Sequence, residues 1–143
     1  MCSLAREYRA SLLITSSTTT AVEVSRVLGV QPDRAWAVGD SITDHPGSGK
    51  HRNHGWKLRA PTTDSDDSES QTSALASILE RLAPRLASLA SDCKLEVVIA
   101  AYTRRARPFI GMSAETMRVF GGCGCSLNCD IYDLSGDELR AEG

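Results

Sequence analysis

The stretch Leu95-Glu-Val-Val-Ile-Ala-Ala-Tyr102 decides how the rest of the chain is read. It is a β-branched run bounded by a turn, and it reads as a central strand buried on both faces. Before it, Leu75, Ile78, Leu79, Leu82, Leu86 and Leu89 recur at helical spacing, which predicts an amphipathic helix. Pro84 interrupts that pattern, so a kink or a second helix is expected there. The leucine repeat is too short for a coiled coil, and core packing is the better reading. After the strand, Ser113 can cap a helix through Phe120, with Glu115 near its positive end. Gly121, Gly122 or Gly124 then ends it. Leu127, Cys129 and Ile131 alternate with Asn128, Asp130 and Tyr132, the pattern of a final strand with one apolar face.

Toward the N-terminus, Tyr8 to Ile14 reads as a first strand. Thr20 and Glu23 match a capping box, and Ala21, Val24 and Leu28 follow at helical spacing. Gly29 suits the residue just past the helix end, and Pro32 prevents continuation. Residues 34–40 then read as a strand with Trp36 and Val38 on one face. Residues 55–61 alternate, with Trp56, Leu58 and Ala60 inward and Lys57 and Arg59 outward. The order is strand, helix, strand, strand, helix, strand, helix, strand. Its first six elements match a split βαβ, or ferredoxin-like, arrangement, with a helix and strand appended. The expected class is α+β, with an antiparallel or mixed sheet and helices mainly on one face. Residues 1–143 read as one domain, with an acidic flexible linker at 62–71 and a frayed tail at 133–143.

With 143 residues, 41% hydrophobic and 24% charged, the composition is that of an ordinary globular protein. The net charge of −2 provides no global attraction to nucleic acid or an anionic membrane. No apolar run approaches the length of a bilayer span, and the N-terminus lacks signal-peptide features, so a cytoplasmic location is expected. The odd number of cysteines argues against a disulfide framework. Cys123, Cys125 and Cys129 have no histidine nearby in sequence, so apolar packing is the better reading than a metal site. No cofactor is expected.

Asp44-His-Pro-Gly-Ser-Gly-Lys-His51 resembles a phosphate-binding loop and fails the comparison. Asp44 stands at the first glycine position, His51 replaces the hydroxyl, and a strand follows where a helix is needed. The same connection carries His45, His51 and His54, a conceivable set for metal-assisted hydrolysis, although loop histidines are often merely solvated. No nucleophile elbow is present. Arg104, Arg105 and Arg107 beside Tyr102 suit an acidic partner or a solvated strand end better than nucleic acid. Asp40 and Asp130 lie near strand ends, and Asp130 shares its outward face with Tyr132. Each also has a plain structural reading, Asp40 in a turn after Gly39 and Asp130 paired across strands with a residue such as Arg59.

Leu28-Gly29, Pro32, Gly39-Asp40, Trp56 opening a strand, and Asp130 with Tyr132 resemble, in that order, an uncharacterised bacterial domain-of-unknown-function family, number 4279. The resemblance runs from about Tyr8 to Tyr132 and implies no catalytic residues. It departs at the long glycine-rich loop and at the cysteine-rich segment after the last helix, where Gly124 becomes the expected cap. In size and style the chain also resembles immunity proteins, which block a partner toxin. The leading expectation is therefore a non-enzymatic protein-binding module using Trp36, Asp40, Arg59, Asp130 and Tyr132. A metal-assisted hydrolase and a small-ligand sensor are the alternatives. An exposed edge strand offers a route to a homodimer.

Overall fold

The computed structural model describes residues 6–43, 47–61, 67–103 and 107–134. The elements are β1 (Arg6–Ser16), α1 (Ala21–Leu28), β2 (Arg34–Trp36), β3 (His54–Arg59), α2 (Ser68–Leu86), β4 (Lys94–Thr103), α3 (Ala114–Gly122) and β5 (Ser126–Asp133). They build a five-stranded sheet in the order β2-β3-β1-β4-β5. The first four strands pair antiparallel, and β5 joins β4 in parallel. This is a split βαβ sheet extended by a further helix and strand, as the element order predicts.

Alternation along each strand sends one set of side chains to the helices. Tyr8, Ala10, Leu12 and Ile14 of β1, Trp56 of β3, and Val97, Ile99 and Ala101 of β4 enter one core. There they meet Val24 and Leu28 of α1, Leu75, Leu79, Leu82 and Leu86 of α2, and Phe120 of α3. The three helices thus cover a single face. That arrangement corrects the expectation for β4. On its core side Val97, Ile99 and Ala101 are buried, but on the other side only Val98 is, and Glu96, Ala100 and Tyr102 are intermediate.

Local chemistry sets the element ends. Thr20 Oγ1 accepts the Glu23 N–H at 3.3 Å, but the Glu23 carboxylate turns to Arg26, so half of the capping box forms. Gly29 takes a left-handed conformation (φ 73°), and its N–H bonds the Ser25 carbonyl. Arg85 Nη1 donates to the Leu28 carbonyl at 2.9 Å, so α2 supplies a second cap to α1. At the end of α3, Cys125 N–H bonds the Phe120 carbonyl and Gly124 N–H bonds that of Gly121. This is a Schellman ending with Gly124 at φ 76°.

Four expectations along the chain move. Asp67 caps α2 through the Ser70 N–H, and Ser68–Gln71 form its first turn, so this end of the acidic stretch is not a linker; residues 62–66 lie outside the described residues. Pro84 falls in the last turn of α2, where it precedes the helix end instead of dividing two helices. Strand β2 stops at Trp36 because the Asp40 carboxylate accepts the Ala37 N–H at 2.8 Å and starts a turn, leaving Val38 exposed. Asp133 closes β5 instead of opening a tail, and the Leu134 N–H bonds the Thr103 carbonyl; residues 135–143 lie outside the described residues.

Candidate binding face

The strand registers determine what lies on the face that the helices leave uncovered. Arg34 stands opposite Lys57, and Trp36 opposite Gly55. Arg59 pairs with Ser11, and Lys57 with Leu13. Across the sheet, Ala100 pairs with Asp130, and Tyr102 with Tyr132. Since alternate residues share a side, Trp36, Arg59, Asp130 and Tyr132 all project from the helix-free face. Asp40 does not join them, because its carboxylate is committed to the turn after β2 and its carbonyl accepts the His51 N–H. The turn reading of Asp40 is the one realised. The pairing of Asp130 with Arg59 is not, since β1 and β4 separate their strands.

The face has two chemically distinct ends. On β2 and β3, the Trp36 ring stacks on His51, with centroids 4.6 Å apart, and the Arg34 guanidinium lies 5.5 Å from its centroid. Arg34, Lys57 and Arg59 gather there, and among the described residues none of them forms an ion pair. Asp33 holds the Arg59 backbone N–H at 2.6 Å. Burial, and then the Arg59 and Arg34 charges, push the Lys57 pKa below its ordinary value, while Asp130 pulls it upward. On β4 and β5, Tyr102 and Tyr132 stack with centroids 5.0 Å apart, and Asn128 donates to Glu96 at 3.1 Å. One end is cationic and aromatic, the other acidic and aromatic.

The long β2–β3 connection is an irregular antiparallel ribbon. Ser41 bridges Lys50, Ile42 N–H bonds the Gly49 carbonyl, and Gly39 N–H bonds that of His51. Strand β3 follows it, which removes the helix that a phosphate loop requires. His45 lies outside the described residues. His51 stacks on Trp36, while His54 Nδ1 accepts the Val38 N–H at 3.3 Å, so these two serve separate structural tasks. Among the described residues, no three His, Cys, Asp or Glu side chains converge as a metal-binding set. Cys123 and Cys125 are partly buried against the core, and burial pushes the Cys125 thiol up to about 11, with Cys123 adding to the shift. Cys129 is exposed on β5, away from that packing role.

Gln71 is a polar residue that sequence reasoning missed. Fully buried, it accepts the Ala10 N–H at 3.2 Å and donates to the Pro61 carbonyl at 3.2 Å, tying α2 to β1 and to the chain beyond β3. Ser68 is likewise buried and accepts the Gly111 N–H at 2.8 Å, fixing the segment that leads into α3. Only the helical period around Leu75, extended backward, signals either residue.

Fold and face together define an α+β protein with a half-covered sheet. No helix among the described residues is long and apolar enough to cross a membrane. The chain belongs to the family described as "Domain of unknown function (DUF4279)", whose match spans residues 6–134. No curated protein and no solved structure matches it.

Proposed function

We propose that the chain is a non-enzymatic binding module of the immunity-protein type, which docks a partner protein on the helix-free face of its sheet. The observation that carries this reading is the convergence of Trp36, Arg59, Asp130 and Tyr132 on that one face. Aromatic and arginine side chains are the groups that most often anchor protein interfaces. The cations at Arg34, Lys57 and Arg59, which form no ion pair among the described residues, favour carboxylates on the partner, and the Asp130 end favours a basic group. The chain acts as one domain in this reading, and in the cytoplasm. Capture from the native host's lysate tests it, with Tyr132→Ala and Asp130→Ala as comparison baits. A single stoichiometric partner, lost with either variant at an unchanged melting temperature, supports the module. A folded wild-type bait that captures nothing overturns it, and variants that unfold assign those residues to structure instead.

A further inference from the structure

Strand β5 forms one edge of the sheet, and no described strand pairs with its outer side. Every residue in it is exposed. The Leu134 N–H points inward to Thr103, so strand alternation turns the amides and carbonyls of Leu127, Cys129, Ile131 and Asp133 toward the open edge. Leu127 and Ile131 lie on the helix side yet remain 53% and 57% exposed, because α3 packs against α2. Natural edges are usually blunted by lysine, proline or a bulge. Strand β5 contains neither residue, and its pairing with β4 runs unbroken from Ser126 to Asp133.

We infer that β5 pairs antiparallel with β5 of a second copy of this chain, about a two-fold axis at Cys129. The occupant follows from the self-complementarity of the strand. Opposed residues in a two-fold pair must share a sheet face, so the axis falls on a residue and not between two. An axis at Asp130 sets two carboxylates directly opposite each other, which is destabilising. An axis at Ile131 places Leu127 opposite residue 135, beyond the strand, and an axis at Asn128 does the same to Ile131 with Cys125. With the axis at Cys129, Leu127 of each copy meets Ile131 of the other, covering the exposed apolar side chains in pairs. On the opposite face, Asn128 of one copy meets Asp130 of the other, an amide donor against a carboxylate, and Ser126 meets Tyr132. The second amide hydrogen of Asn128 is available, since one bond to Glu96 uses only one.

This pairing goes beyond the proposed function and stands or falls separately from it. It joins the helix-free faces of two copies into one surface, with Asp130 and Tyr132 at the seam beside residues of the other copy. The test is sedimentation of the full chain over a range of concentrations, followed by mild oxidation with diamide. A monomer–dimer equilibrium is expected, with an intermolecular disulfide that Cys129→Ser abolishes. Ile131→Lys, at an exposed position, is expected to weaken dimerisation by about tenfold or more, because each dimer loses both of its apolar cross-strand pairs. A chain that stays monomeric at the highest soluble concentration overturns the proposal. So does a dimer that Ile131→Lys leaves intact. A dimer that cross-links through Asp130→Cys in a Cys129→Ser background, but not through Cys129, overturns the axis. Failure to capture a partner protein would count against the binding module alone.

Discussion

The Trp36 indole lies against Gly55, its cross-strand partner, so closely that a Cβ at Gly55 would stand 1.9 Å from the ring. The glycine is required by close approach of the ring. Gly55→Ala is expected to cost about 1–3 kcal/mol, the usual cost of overpacking, and to shift Trp36 fluorescence. Urea unfolding of Gly55→Ala, Trp36→Ala and the double variant checks this as a cycle. Most of the Gly55→Ala penalty should vanish once the indole is gone; an equal penalty in both backgrounds would refute the contact.

On the other side of the same strand, the fully buried Trp56 donates its Nε1–H to Ser25 Oγ at 2.9 Å, joining β3 to α1. Ser25→Ala leaves that donor without its partner and is expected to cost about 1–3 kcal/mol. Trp56→Ala removes the largest buried side chain and should cost about 3–5 kcal/mol. Chemical denaturation of both variants gives the comparison, and a Ser25→Ala protein as stable as wild type would show that the bond contributes nothing.

The element order was legible because strong local signals agreed with the tertiary outcome. Thr20, Gly29, Ser113 and Gly124 mark helix ends wherever the chain goes, and the alternation around Trp56 survives into the core. What failed was set by distant partners. Whether β4 was buried on both faces depended on where the helices packed, which no strand pattern records. The start of α2 is hidden because Ser68 and Gln71 look like linker residues until Phe109, Gly111, Ala10 and Pro61 provide their partners. Trp36, Arg59, Asp130 and Tyr132 stand out by their chemistry, and strand alternation places all four on one face. Asp40 stands apart from them because its carboxylate is held in the turn after β2, a place that an aspartate after a glycine takes as readily as it meets a ligand.

Asp92 gives an acid-side test of the loop that joins β1 to α1. Its carboxylate accepts the Ser16 and Thr18 hydroxyls at 2.5 Å each, and those bonds hold its pKa below the ordinary value. A carboxylate with a depressed folded pKa contributes stability above its unfolded pKa, and that contribution is lost as pH falls through the folded value. Asp92→Asn is expected to lower the melting temperature at neutral pH and to match wild type in strong acid. Thermal melts of both proteins across the acid range would show the curves converging; a constant offset would mean that charge plays no part.

Lys57 makes the opposite prediction on the alkaline side. Burial and the Arg59 and Arg34 charges disfavour its protonated form in the folded chain. Between the lowered folded pKa and the ordinary lysine value, the unfolded chain holds more protons, so stability rises with pH through that window. Below it, the full cost of the crowded charge is present. Lys57→Met is therefore expected to raise the melting temperature at neutral pH and to flatten the alkaline rise. Added salt should stabilise wild type more than the variant, because it screens the repulsion that the variant lacks. An acidic partner seated on this face would relieve the same crowding and raise the Lys57 pKa. Binding should then take up protons near the lowered value, which titration calorimetry in two buffers of different ionisation enthalpy would detect. A variant less stable than wild type at neutral pH would mean that the lysine stem contributes more by packing than its charge costs.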